Sequence, residues 1–256
     1  MMVTGAAFAV VACGETDVKV NRANVHIEEA LSPGRTDSVT VTVAAEYPAE
    51  GLSDTVVSSM CDIIVETAFG SDYAGLEVQA AADKWAADFV DEYKKTNMEL
   101  LADIANDSED DGIGPILNWG TEIQGYFSGR HGDVISYTVT NYVYEGGAHG
   151  SASEDAVNMD IKSGKQISED DFFIPGYKEG LSSALTAHLR DAMPDQESYD
   201  ALFVKDIEPN GNFKVSEQGV TYIYGQYEIG PYYLGIIKVT VPWDELGDLV
   251  REHPFS

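Results

Sequence analysis

The residues best suited to chemistry lie in one short run, "NYVYEGGAHGSASE" (Asn141–Glu154), where His149 stands among Gly146, Gly147 and Gly150. An imidazole held against bare backbone could serve as a general base, with Glu145, Glu154 or the later Glu228 orienting it. The same ring could instead close a turn. Glycines at 146 and 147 permit positive φ or close approach of another chain segment, Gly150 releases the turn, and His149 can hydrogen-bond backbone in the adjoining loop, near Tyr227–Tyr233. A base with no committed partner is half a mechanism, so the turn reading is preferred and His149 remains the one catalytic candidate.

The other histidines, His26, His131, His188 and His253, form no HExxH or HxxxH pair and no cluster with cysteine. Zinc chemistry therefore has no support in spacing, and neither a G-x-S-x-G elbow nor a phosphate-binding loop occurs. No cofactor is expected. The acidic stretch "NDSEDDGIG" places Asp107, Glu109 and Asp111 before Gly112, as in the first half of a calcium loop. Asn118 stands where that loop needs a bidentate glutamate, so a solvated acidic linker is the expectation, with those three residues as calcium candidates.

Lys and Arg number 15 against 44 Asp and Glu, a net charge of -29. Such a field repels nucleic acid and anionic membranes; it reads first as a solubilising surface, and it would also attract a basic protein or collect cations. At the start, Val3–Ala12 is apolar and ends in Val10, Val11, Ala12, Cys13, which resembles a bacterial lipobox with Cys13 as the acylated residue. The basic segment that normally precedes a lipobox is absent. Ten apolar residues are too few to span a bilayer, so the anchor would be lipid alone. Gly14 after the cysteine favours the outer membrane, by likeness to known lipoproteins. The expectation is a signal segment at 1–13, a tether at 14–17 and residence in the bacterial cell envelope.

Periodicity supplies the elements that must position these groups. Two strands are predicted at 18–31 and 36–47, broken by Pro48–Gly51. Helices follow at about 52–68, where Leu52, Val56, Met60, Ile63 and Ile64 form a stripe beside Cys61, and at about 73–104. With no partner but Cys13, Cys61 reads as a packed thiol. Strands at about 116–128, 133–144 and 153–161, a helix at 177–192 with Leu181, Leu185 and Leu189 in register, strands at 213–216, 220–224 and 234–241, and a closing helix at 243–250 complete the chain. His188 borders the leucine stripe. This order predicts an α+β fold, a mainly antiparallel sheet covered by helices, with two related subregions at 18–140 and 141–252 forming one compact unit.

The stretch Tyr144–Phe173 resembles an extracytoplasmic module found at the C-terminal end of RsiV, a lysozyme-sensing anti-sigma factor, and beside the catalytic domain of the peptidoglycan deacetylase PdaC. That module carries a Y-x-GGAHG turn (Tyr144, Gly146, Gly147, Ala148, His149, Gly150), a hairpin (Asp160, Ser163, Gly164, Lys165) and an Asp-Phe helix start (Asp171, Phe172). A second block, Gly219–Leu246, is similar to its closing signature, a tyrosine-rich strand followed by "YEIGPYYLG", with Gly230 and Tyr233 as departures. The resemblance covers most of the chain after Val20. It implies an accessory, non-enzymatic role, because PdaC keeps its metal-dependent chemistry in a separate domain with no counterpart here. The implied partner is a basic lysozyme-like protein or a cell-wall glycan, met in the region of Tyr144, His149, Tyr227, Glu228 and Tyr232. A glycan- or peptidoglycan-processing site at the GGAHG turn stays open as the alternative.

Overall fold

The computed structural model describes residues 18–106 and 117–251. Alternation builds the first sheet: Val39, Val41, Val43 and Ala45 of β2 (Ser38–Glu50) are buried on one face while Thr40 and Thr42 stay partly exposed on the other. β1 (Lys19–Ala30) pairs antiparallel with β2. β2 then pairs parallel with β3 (Trp119–His131), and parallel neighbours need a long crossover. It is supplied by α1 (Asp54–Phe69) and α2 (Val78–Asn106). β4 (Val134–Tyr144), β5 (Ser151–Asp160) and β6 (Gln166–Ile167) add antiparallel strands, giving the order β1-β2-β3-β4-β5-β6.

The crossover helices cover one face of this sheet. Ser53 caps α1 by accepting a bond from the Val56 backbone N–H, and Val56, Met60 and Ile64 of that helix join Ala81, Ala82 and Ala86 of α2 over the β2 valines. Each fully buried Val, Ile or Met side chain contributes about 1.5–3 kcal/mol. Cys61 packs at the edge of this core, where burial first, then Glu77 and Asp62, push its thiol up to about 11. That makes it a poor nucleophile, as the stripe predicts.

The second sheet is β7 (Phe213–Val215), β8 (Gly219–Tyr224) and β9 (Ile237–Pro242), all antiparallel. Leu181, Leu185 and Leu189 of α4 (Tyr177–Leu189) are buried in one core with Tyr222, Val239 and Val241. Ahead of α4, α3 (Glu169–Phe172) opens on a capping box in which Ser168 and Asp171 exchange side-chain and backbone bonds. Those bonds hold the Asp171 carboxyl below its usual range. Short helices α5 (Gln196–Asp200) and α6 (Trp243–Leu246) complete the described chain.

The two sheets meet through buried polar groups. Odd-numbered residues of β4 (Ile135, Tyr137, Val139) face the helices, so Ser136 and Thr138 point the other way; both are fully buried. Ser136 Oγ donates to Asn158 Oδ1 (2.6 Å) and accepts from the Val215 backbone N–H (2.8 Å), while Asn158 Nδ2 donates to the Phe213 carbonyl (2.8 Å). Asn212 extends the seam, accepting from Ala156 N and donating to the Glu154 carbonyl. Strand β7 is thereby hydrogen-bonded across the inner face of β4 and β5.

Three expectations are corrected. Pro48 does not end β2, because pairing with β3 stops at Ala45 and the missing N–H breaks no bond there; the β1 register shifts opposite it instead. α2 begins at Val78 rather than Tyr73, since a 3-10 turn at Ser71–Tyr73 and Gly75 at φ 79° intervene. The 140/141 boundary falls inside β4, and β5 and β6 continue the first sheet. The buried cores divide later, between Ile161 of the first and Ile167 of the second, with Val134 alone of the first sheet's earlier strands reaching into the second core.

Candidate functional site

The GGAHG turn is the link between β4 and β5. Gly146 and Gly147 take φ 89° and 90°, conformations that side-chain-bearing residues avoid, and the Tyr144 hydroxyl donates to the Gly147 carbonyl (3.0 Å). His149 Nδ1 lies 3.0 Å from the Gly150 carbonyl oxygen. A carbonyl only accepts, so Nδ1 carries the hydrogen and Nε2 of the neutral ring is left as an acceptor. The Tyr232 hydroxyl donates to the same oxygen (2.7 Å), and the two rings stack with centroids 4.1 Å apart. Gly150 also has a packing role. A methyl group there would meet the end of the exposed Tyr142 ring, which packs against the bare glycine and would have to swing aside.

The loop from β8 to β9 forms the opposite wall. Gln226 Oε1 accepts from the Ala152 backbone N–H (2.9 Å), which fastens the loop to β5. Glu228 closes the loop on itself, accepting from Gly225 N (2.7 Å) and from Asn210 Nδ2 (2.8 Å). This turn holds Tyr227 at φ 66°, the one positive φ outside glycine among the described residues, a conformation that costs about 1–3 kcal/mol. The Tyr227 ring is 60% exposed and lies 5.7 Å from that of Tyr232. Between the walls is a cleft of about 420 Å³, lined among others by Glu145, His149, Ser151, Gln226, Tyr227 and Tyr232.

Residues 170–244 match the model of a family described as a protein of unknown function, DUF3298. The DUF3298 span runs from α3 to the first turn of α6, so it holds the second sheet and the Tyr227–Tyr232 wall but not the GGAHG turn. Two solved structures share the fold. One is a DUF3298 family member from Bacteroides fragilis, 23% identical, with a TM-score of 0.80, covering 93% of this chain and 96% of its own. The other is a DUF3298 family protein from Pseudomonas aeruginosa, 19% identical, with a TM-score of 0.62 and the same two coverages. Among curated proteins none matches. At these identities the likeness speaks for the fold alone.

Of the predicted site residues, the turn and the DUF3298 loop bring His149, Tyr227 and Tyr232 together, with Tyr144 and Glu228 bracing the two walls. Glu154 is not among them. Its buried carboxylate meets Lys238 Nζ at 2.6 Å and Lys214 Nζ at 3.8 Å between the two sheets. Burial there holds the Lys214 ammonium below its usual range, against the pull of Glu154. With Glu228 spent on its own loop and Gly150 occupying Nδ1, no carboxylate among the described residues is hydrogen-bonded to His149. The ring is oriented by its bond to Gly150 and its stack on Tyr232.

Tyr142, Ser151 and Gln226 were not singled out by motif; alternation along β4 puts Tyr142 on the same face as Tyr144 and Ser136, and that signal could have found it. The other described histidines are held elsewhere: His26 against Thr42, His131 stacked on Trp243 at 3.8 Å, and His188 Nε2 at 2.9 Å from Glu245. Burial lowers the His131 pKa. Among the described residues no group of three His, Cys, Asp or Glu is placed to hold a metal. Cys13 and the calcium candidates Asp107, Glu109 and Asp111 lie outside the described residues.

His149→Ala is expected to lower stability by about 1–3 kcal/mol, the sum of one aromatic stack and one part-buried hydrogen bond. Thermal unfolding checks this. A loss above about 3 kcal/mol would mean the ring supports the core rather than the cleft.

Proposed function

We propose that the chain is a non-enzymatic binding module of the bacterial cell envelope, held there by lipid on Cys13, and that it meets an extracytoplasmic partner at the cleft between residues 143–153 and 225–232. The observation that supports this most is the make-up of the cleft: aromatic side chains on fastened loops, with Glu154 and Glu228 committed to other groups and Glu145, which shares the cleft, making no hydrogen bond to His149. Aromatic residues on rigid supports are what interface cores use, whereas proton transfer needs a paired acid and base. The likeness of Tyr144–Phe173 and Gly219–Leu246 to the RsiV and PdaC module points the same way, toward a lysozyme-like protein or a wall glycan. Net charge -29 favours the basic protein, since complementary fields speed encounter.

Calorimetry of the purified protein with lysozyme tests this reading. Binding that weakens steeply as salt rises is the expected result. No heat at low ionic strength removes lysozyme as the partner, and failure to retain any envelope component on the immobilised chain removes the binding role itself.

A further inference from the structure

We infer that the cleft is a cation site that takes the ammonium or guanidinium end of a lysine or arginine side chain presented by a basic protein. This rests on the binding role proposed above and adds its chemistry.

Four observations converge. The Tyr227 ring, 60% exposed, presents an open π-face beside Tyr232, which lies 5.7 Å away and has one face covered by His149, and a cation within about 6 Å of such a face is attracted by the ring quadrupole. Both hydrogens that could repel a cation are turned onto one oxygen, since His149 Nδ1 and the Tyr232 hydroxyl each donate to the Gly150 carbonyl. Glu145 lines the same cleft, exposed and without a hydrogen bond or ion pair to any described residue, and the lining contains no lysine or arginine. Glu228 adds a second negative charge at the base of the Tyr227 turn. An open aromatic face backed by a second ring, a carboxylate with no partner among the described residues and a lining without lysine or arginine form a box for an organic cation.

The strain at Tyr227 has a role in this arrangement. A φ of 66° is costly for tyrosine and would cost glycine nothing, yet it keeps a ring 60% exposed over the cleft mouth. A protein side chain is favoured over an amino sugar by the exposed aromatics that the same loop carries or binds. Tyr233, 69% exposed, follows Tyr232 on it, and Phe203, 59% exposed, is fastened to it by its backbone N–H to the Ile229 carbonyl. Exposed aromatics of this kind are enriched in protein interfaces.

The test titrates the full chain with an oligo-lysine peptide and with its fully Nε-acetylated form, at about 0.15 M salt, where fields from distant charges are damped within about 8 Å. The ammonium form is expected to bind and the acetylated form not. Glu145→Gln and Tyr227→Gly should each weaken binding about tenfold, the size of one partly desolvated cation–π contact or ion pair. Tyr227→Gly relieves backbone strain, so its binding loss should come with equal or higher thermal stability, which separates a site defect from misfolding. Glu99→Gln, the same charge change on α2, should leave affinity unchanged. Equal weakening by Glu145→Gln and Glu99→Gln would reduce the effect to the diffuse field and overturn the inference. So would absence of binding by the wild-type chain, or preference for a de-N-acetylated chito-oligosaccharide over the peptide. If wild type and both cleft variants retain an envelope partner equally, the cation site falls while the binding role stands.

Discussion

Gly129→Ala is expected to lower the unfolding free energy by about 3 kcal/mol or more, a fall in melting temperature of about 10 °C for a chain of this size. A methyl group at 129 would overlap the carbonyl oxygen of Val215, with the Val215 carbon at 3.2 Å and Ser216 Cα at 3.3 Å. Overpacking usually costs less, because a side chain can swing aside. Here the obstacle is backbone. Val215 is held by Ser136 Oγ, and Phe213 two residues earlier by Asn158 Nδ2, so β7 cannot retreat without leaving buried donors and acceptors unpaired. β3 has little freedom either, although its register with β4 shifts between Phe127 and Gly129, which marks where the strand bends to admit β7. Gly120→Ala on the same strand is the control. Its nearest neighbour would be the Thr40 carbonyl at 3.8 Å, ordinary contact, and its melting temperature should stay within about 2 °C of wild type. If Gly129→Ala melts with that control, the sheets do not meet as described.

That junction is also where sequence reading stops. Val39, Val41 and Val43 declare a half-buried strand, and Leu181, Leu185 and Leu189 a helix face, because apolar spacing responds directly to one buried side. Ser136, Thr138 and Asn158 obey the same alternation and read as solvent-facing. They are buried because the second sheet lies over them, a contact between residues about 80 positions apart that no local period encodes. The parallel pairing of β2 with β3 is hidden for the same reason, since the strands are separated by both crossover helices. The cleft was more legible. Glycine spacing around His149 implies a turn with a nearby backbone partner, but that partner is Gly150 within the turn rather than the backbone of the Tyr227–Tyr233 loop, which the ring meets by stacking on Tyr232. What spacing could not tell is that Glu154, five residues from His149, belongs to a different environment. It leaves the turn along β5 on the face turned toward Lys214 and Lys238, and the lysines claim it.

Glu169→Ala is expected to cost about 3 kcal/mol, and to loosen the cleft from a distance. Glu169 opens α3, and its two oxygens accept three bonds: Oε1 from the Tyr222 hydroxyl and the Gly211 backbone N–H, Oε2 from the Tyr177 hydroxyl, each 2.8 Å. Burial first, and then the carboxylate itself, raise both phenols well above their usual range, which favours the protonated form that donates to Glu169. Tyr222 is fully buried. With alanine its hydroxyl has no acceptor, while Tyr177 and Gly211 lie closer to water and recover part of their bonding, which sets the total near one full desolvation penalty plus one lost charge-assisted bond. Glu169→Gln should cost about 1 kcal/mol, because the amide oxygen still serves Tyr222 and Gly211 and the amide N–H can donate to a reoriented Tyr177 phenol. The consequence for the cleft runs through the next residue. Gly211 is fixed by Glu169, and Asn210 beside it holds Glu228, whose other oxygen closes the turn that carries Tyr227. Chemical denaturation of the three proteins should therefore rank wild type above glutamine above alanine. Partner affinity should follow that rank even at temperatures where all three are folded, and an alanine variant that loses stability but binds as wild type would show that the Asn210 link does not hold the Tyr227 wall.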